Sequence, residues 1–281
     1  MALLNLLFTL VPFLGKPAHF AAPLTEFRMS LISKMSCQLY SARNFPPLEA
    51  QLATLARLGY TKVEPFGGLY GDVPALAATL KSHNLTAPTA HFGLGQAEDE
   101  FEAALDIAQT LGVTTMVIPY LMPDQRPQDA AGWYRLGERL GAIRKKLQPH
   151  GISLAWHNHD FEFFKLPDGS VPLTHILDAD PDVKWEADIG WIARAGENPL
   201  VWLARYEGRV ATLHVKDIAA PSATPVEDGW ADLGYGTIDW AKVIPAGLKA
   251  GAHVLVTEHD NPADFERFAR RSIETAKSWA F

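Results

Sequence analysis

The sequence predicts a single α/β domain, a (β/α)8 barrel of the TIM type, and three observations lead there. Short strand-like runs and amphipathic helical stretches alternate eight times, the pattern of parallel strands joined by crossover helices. The chain has 281 residues, and such barrels take about 250. Nearly every run ends in a charged or metal-competent side chain, which suits a fold whose catalytic groups sit at the C-terminal strand ends.

The predicted strands, in order, are Ser36–Tyr40, Lys62–Pro65, Thr86–His91, Thr115–Pro119, Ser153–His157, Val183–Asp188, Val210–Val215 and His253–Glu258. Each is short, β-branched or aromatic, and followed by a turn former. Between them, Leu48, Leu52, Leu55 and Leu58 recur at helical spacing and stop at Gly59. Phe101, Ala104, Leu105, Ala108 and Leu111 do the same and stop at Gly112, and the stretch Trp133–Leu147 ends before Pro149. An open doubly wound sheet would place a glycine-rich phosphate loop after the first strand. That position reads Tyr40-Ser41-Ala42-Arg43-Asn44, without a glycine. The barrel is the better reading.

Residues 1–34 stand apart as an N-terminal extension, and 35–281 form the barrel. Met1–Leu14 is apolar and broken by Gly15-Lys16-Pro17. It lacks the basic start of an export signal, having no Lys or Arg before Lys16, and is short for a membrane span. An upstream extension without structural role, with Met29 or Met35 as the true start, is expected over a degenerate export signal. The one cysteine, Cys37, can form no internal disulfide, which fits the cytoplasm. Nor can it build a thiolate metal site, so any metal must be held by His, Asp and Glu. The net charge of −7 argues against a grip on nucleic acid or an anionic membrane. Arg144-Lys145-Lys146 and Arg270-Arg271 read as solvated helix faces. The expected partner is a small molecule, and a homo-oligomer is compatible with this composition.

The polar strand ends carry the functional signal. They are Glu64, His91, His157-Asn158-His159, Glu186 with Asp188, His214 with Lys216 and Asp217, and Glu258-His259-Asp260. A core strand has no packing reason to finish this way, since a carboxylate buried without a partner is costly. Residues two apart share a face, so Glu186 pairs with Asp188, His214 with Lys216, His157 with His159, and Glu258 with Asp260. Trp185, Ala187, Leu213 and Val215 then face the helices. Asp188, His214 and Glu258, on three consecutive strands, can converge on one divalent ion, with a fourth ligand from the stretch His157–Glu162. Mixed imidazole and carboxylate ligation suits Mn2+, Zn2+, Co2+ or Fe2+, and Mg2+ less well.

These residues resemble the sugar phosphate isomerase/epimerase family, the xylose isomerase-like barrels that include endonuclease IV, inosose dehydratase and several keto-sugar epimerases. The marks are Gln38-Leu39-Tyr40-Ser41-Ala42-Arg43, Leu58-Gly59-Tyr60-Thr61-Lys62-Val63-Glu64 and Trp156-His157-Asn158-His159-Asp160-Phe161-Glu162-Phe163. They continue in Asp188-Ile189-Gly190-Trp191, His214-Val215-Lys216-Asp217, Gly234–Trp240 and Glu258-His259-Asp260. The resemblance implies a metal held by Glu, Asp, His and Glu on strands five to eight, and Asp188, His214 and Glu258 match the last three. On strand five His157 occupies the usual glutamate's place. Either a histidine substitutes as ligand or Glu162 reaches back; His159 is placed first, with Glu162 beside it, and the reverse roles of His157 and His159 stay open. The family's usual histidine three residues after the strand-six aspartate is Trp191, which argues against the multi-zinc DNA-repair branch.

The expected chemistry is metal-assisted acidification of a C–H beside a carbonyl, through an enediolate. Return of the proton gives an isomerase or epimerase acting on a keto-sugar or related polyol. Loss of a β-leaving group gives a dehydratase or lyase on a keto-sugar or keto-inositol. His157 is the candidate acid/base, Glu162 a second one, and Lys216 a group that polarises a substrate oxygen. Tyr40, Arg43, Glu64 and His91 are expected to meet substrate hydroxyls, and Trp191 to offer an aromatic wall. The rivals are an endonuclease IV-like hydrolase and a non-catalytic sugar-binding barrel.

Overall fold

The barrel strands are buried along their whole length except at a few first residues, and polar side chains gather at their C-terminal ends. The structure, a computed structural model, describes residues 31–222 and 226–279. The barrel strands are β1 (Met35–Gln38), β2 (Lys62–Glu64), β3 (Thr89–His91), β4 (Thr115–Ile118), β5 (Ser153–His157), β6 (Lys184–Asp188) and β7 (Val210–Val215). Then β8 (Asp217–Ile218) and β9 (Trp230–Ala231) pair as an antiparallel ribbon, before the eighth barrel strand, β10 (Val254–Thr257). The parallel order is β2-β1-β10-β7-β6-β5-β4-β3. Its two ends meet through Val63 N–H to Thr86 O (2.9 Å), Thr86 N–H to Thr61 O (3.0 Å) and His91 N–H to Pro65 O (2.9 Å). The barrel is thereby nearly closed.

Around it run α1 (Leu48–Leu58), α2 (Val73–Ser82), α3 (Leu94–Asp99), α4 (Phe101–Leu111), α5 (Ala130–Leu147), α6 (Pro172–Ala179), α7 (Ile189–Arg194), α8 (Pro199–Arg205), α9 (Trp240–Lys249) and α10 (Phe265–Ser278). As the alternation predicts, Trp185, Ala187, Leu213 and Val215 belong to the hydrophobic core between sheet and helices. Most of the predicted strands are trimmed at one or both ends, only Ser153–His157 and Val210–Val215 keeping their bounds, and in two the cause is visible. The first stops at Gln38 because its side-chain Oε1 accepts the Tyr40 N–H (3.1 Å) and starts a 3-10 turn over Leu39–Ala42. The third begins at Thr89 rather than Thr86 because Pro88 has no N–H to give a ladder, although its carbonyl accepts from Thr114 and Thr115.

Strand register then sets the site. Gln38 lies beside Glu64, His157 beside Glu186, and Asp188 beside His214. Of the expected extension over residues 1–34, residues 1–30 lie outside the described residues. Leu31 is buried in the core, and Leu255 N–H donates to Lys34 O (2.9 Å) just ahead of β1. Among the described residues no helix is long and apolar enough to cross a membrane.

Candidate metal centre

The loop after β5 turns on Asn158. Its Oδ1 accepts both the Asp188 N–H (3.0 Å) and the Trp185 indole N–H (2.9 Å), and its Nδ2 donates to Asp188 O (3.2 Å). Asn158 therefore fastens the end of β5 to the end of β6 and fixes His157 over Asp188. Asp188 caps α7, its Oδ1 accepting from Trp191 N–H (2.9 Å). The helix start lies close against β7: a Cβ at Gly190 would come within 2.7 Å of Lys216 O, so only glycine fits there.

One ligand atom each from His157, Asp188, His214 and Glu258 lie within 4.8 Å of one another, all four residues buried. His157 Nε2 is 3.9 Å and His214 Nδ1 3.8 Å from Asp188 Oδ2, and His214 Nδ1 is 2.9 Å from Glu258 Oε2. Tetrahedral zinc with bonds near 2.1 Å spaces its ligand atoms roughly 3.4 Å apart. Asp188 Oδ2 is buried without a hydrogen-bond partner, an arrangement that costs free energy unless something polar meets it. Two imidazoles and two carboxylates, one with an orphaned oxygen, fit a divalent ion of borderline hardness.

A deeper group, His91, His157, Glu186 and His214, meets the same distance condition. Its imidazoles are already paired through Glu64 Oε1 and Glu186 Oε1, although Glu64 Oε2 and Glu186 Oε2, like Asp188 Oδ2, have no hydrogen-bond partner. His91 Nε2 is 3.0 Å from Glu64 Oε1 and 2.7 Å from Glu186 Oε1. His214 Nε2 is 2.7 Å and 3.0 Å from the same two oxygens, and Gln38 Nε2 donates to Glu64 Oε1 (2.8 Å). This layer serves as the floor that orients the ligand imidazoles from below, as carboxylates behind metal histidines do.

Charge follows geometry. Burial raises the Asp188 carboxyl to about 7, against the pull of Lys216 and His214. Burial also works against the Glu258 charge, but Lys216 and His214 outweigh it and hold the group well below the usual range. For His214 burial is again overcome, by Glu186, Glu64 and Glu258, which push it well above its ordinary value. His91 rises to about 9, Glu64 and Glu186 outweighing burial. His157 and His159 go the other way: burial, with His214 beside the first and Lys216 near the second, lowers both, His159 to about 3.

Above this floor opens a cavity of about 800 Å³. His157 and Glu258 line it, while Asp188, His214, Glu64 and Lys216 lie beneath its surface. Tyr40, Arg43, His91 and Trp191 also line the cavity. So does His159, its ring 5.1 Å from His157, 5.0 Å from Trp191 and 4.9 Å from Tyr120. His159 is outside the four-residue group, and its Nδ1 has no partner. Glu162 points away from the centre: it accepts from the Trp156 indole N–H (3.2 Å) and the His159 backbone N–H (2.9 Å). Lys216 is fully buried, 3.3 Å from Glu258, 2.6 Å from Asp260 and 4.3 Å over the Trp230 ring. Sequence reasoning gave no role to Gln38, Asn158 or Arg126. Asn158 was visible as a strand-end polar residue and Gln38 only as part of a motif inside the first predicted strand; Arg126 sits in a loop and left no such signal.

Asp217 explains why two quoted motifs occur together. Its carboxylate accepts from Gly234 N–H (2.9 Å), Gly236 N–H (3.2 Å) and the Trp240 indole (2.9 Å), so the loop after β9 is tied to the end of β7. A Cβ at Gly236 would meet Asp217 Oδ1 at 2.2 Å.

The profile of the xylose isomerase-like TIM barrel matches residues 52–279. The chain belongs to that family. It is 22% identical over 264 residues to an inosose dehydratase of Clostridium beijerinckii, covering 80% of this chain and 88% of the relative. A sugar phosphate isomerase/epimerase from Parabacteroides distasonis superposes with a TM-score of 0.75 at 20% identity, covering 95% of this chain and 98% of that one. The IolI protein, solved with a bound zinc atom, gives 0.69 at 19% identity, covering 87% and 95%. At these identities the solved structures establish the fold. The protein is a xylose isomerase-like barrel enzyme with a buried His/Glu metal site, and family membership leaves isomerase and dehydratase both open.

Proposed function

We propose that the protein is a divalent-metal sugar isomerase or epimerase acting beside the carbonyl of a keto-sugar or related polyol through an enediolate. The observation that carries this reading is the group His157, Asp188, His214 and Glu258, with the orphaned Asp188 oxygen, at the floor of a cavity of sugar size. These four would hold the ion, and the zinc in the IolI protein supports zinc as a suitable one. When bound, the ion supplies Lewis acidity to adjacent carbonyl and hydroxyl oxygens.

The chain's own groups then divide the proton work. Glu258 lines the cavity and makes its contacts to His214 and Lys216 through Oε2, which leaves Oε1 to take a proton from carbon. His159 stands on the loop after β5, three strands around the barrel, where its neutral ring can exchange a proton with substrate oxygen or carbon on the other face. Lys216 favours the ionised Glu258 and pulls against the burial that raises the Asp260 carboxyl, and Tyr40, His91 and Trp191 bind hydroxyls and the sugar face. His157 is thus the strand-five ligand and His159 the acid/base, the reverse of the order placed first from sequence, and Glu162 supports the loop. Dehydration is the second reading, favoured by the inosose dehydratase relative; in it the neutral imidazole first takes the proton from carbon and the resulting imidazolium then gives that proton to the leaving hydroxyl.

Incubating zinc-loaded protein with a panel of keto-sugars in D2O, followed by NMR, tests this. Deuterium entering at the carbon beside the carbonyl, with the hydroxyl count unchanged, is the expected result. Loss of water from the product selects dehydration, and no exchange with any keto-sugar despite bound zinc would sink both.

A further inference from the structure

On the metal reading just given, the same cavity carries a second recognition element. We propose that Arg126 binds an anionic group of the substrate, a carboxylate or a phosphate, at the end away from the metal. Arg126 lines the cavity. Its guanidinium lies 3.6 Å over the Phe161 ring, its Nε donates to Leu121 O (3.1 Å) and its Nη2 to the Tyr120 hydroxyl (2.6 Å). Three of the five guanidinium N–H groups take no protein acceptor among the described residues, and neither acceptor that is used is a carboxylate. Elsewhere Arg57, Arg139, Arg144 and Arg267 each pair with one. Arg43, the other arginine on the cavity, is exposed, its Nη1 donating to Tyr40 O (2.9 Å) and its guanidinium lying over the Tyr40 ring. Glu162, behind the Arg126 wall, is turned to Trp156 and His159 instead.

A guanidinium held flat on a ring has already given up its rotamer freedom and presents an edge of paired donors. That geometry matches the two oxygens of a carboxylate or phosphate. Stacking on Phe161 also leaves the charge only partly hydrated, which strengthens its attraction for an anion. Position decides which part of the substrate arrives there. Phe161 is 5.9 Å from His159, and His159 5.1 Å from the ligand His157, so Arg126 sits two ring contacts from the metal end. At the metal end Glu258 and Asp260 are already paired with Lys216, so the free guanidinium donors at the other end are what favour placing an anionic group there. A substrate with a keto-hydroxy end and an anionic end then meets the metal with the former and Arg126 with the latter. A keto-sugar acid or a keto-sugar phosphate meets this description.

Calorimetric titration of the zinc-loaded full-length protein with D-fructose, 2-keto-D-gluconate and D-fructose 6-phosphate tests the inference, with zinc content measured on each sample. At least one anionic probe is expected to bind at least tenfold more tightly than fructose, and the tighter of the two tells carboxylate from phosphate. Arg126→Gln removes that margin without weakening fructose, and Arg126→Lys keeps part of it. Equal binding of fructose and the anions, binding of none of the three, or equal weakening of all three in Arg126→Gln overturns the inference. Bound zinc with no anion preference defeats this inference alone. Absence of zinc from the wild-type protein defeats the metal reading, and the anion preference is then read on the metal-free chain with the same outcomes.

Discussion

His157 ends β5 and His159 lies two residues on, in the loop that follows, and the structure gives them different neighbours: the first faces Asp188 and Glu186, the second a wall of aromatic rings. His157→Ala is therefore expected to lower zinc occupancy together with activity, whereas His159→Ala keeps zinc and slows turnover by about 10²–10⁴. Metal analysis beside initial rates separates them; full zinc in His157→Ala would reverse the assignment. Acidity acts at the same place. The carboxylates around His214 push its basicity up in the metal-free chain, so zinc must displace a proton from it. Zinc affinity, measured by chelator competition, should fall as pH falls from the alkaline side through neutrality, with protons released on binding. An affinity flat with pH would show that His214 is not a ligand. Strand-end placement made Asp188, His214 and Glu258 legible from sequence as candidates, because the first two belong to short strands with a fixed alternation and the third directly follows one. His159 and Glu162 lie beyond the strand, where alternation fails. A turn pinned by Asn158 decides which way each points, and that turn is a tertiary event.

At the scale of elements, two buried groups tie loops to strands. Asn158 joins β5 to β6 through three hydrogen bonds, and Asn158→Ala leaves the Asp188 N–H and the Trp185 indole unpaired. A loss of about 1–3 kcal/mol for each buried group left unsatisfied is expected, together with weaker zinc binding. Urea denaturation reads the first and chelator competition the second. Glu162 supports the same loop, and burial outweighs its hydrogen bonds to raise its carboxyl from 4.5 to about 8. Between those values the folded chain holds a proton that the unfolded chain has lost, so this group's contribution to stability is full below about 4.5 and is lost as pH rises through about 8. Paired denaturation curves at mildly acidic and alkaline pH should show Glu162→Gln gaining on the wild type as pH rises; a constant gap would mean that the carboxyl is not buried as described. Element existence was readable from periodicity, and the failures were local. Gln38 ended a strand early through its own side chain, and Pro88 withheld a donor, effects that hydrophobic spacing does not register.

For the whole molecule, eight parallel strands bring residues from opposite ends of the chain, Glu64 and Glu258, to a single imidazole at His214. This is why the constellation counts for more than any motif in it. The proposed boundary of the barrel can be probed at the N-terminus. Leu31 is buried in the core, so a chain starting at Met29 should keep its melting temperature, while one starting at Met35 loses a buried leucine. That loss costs about 2–5 kcal/mol if the site cannot collapse, a drop of several degrees in Tm. Equal melting of the two chains would place Leu31 outside the cooperative unit. The most direct test of the metal centre is anomalous X-ray diffraction from crystals of the zinc-loaded protein. The expected result is one zinc peak within about 2.0–2.2 Å of His157, Asp188, His214 and Glu258. A peak in the deeper layer against His91 and Glu186, a peak ligated by His159 or Glu162, or no peak at all would contradict it.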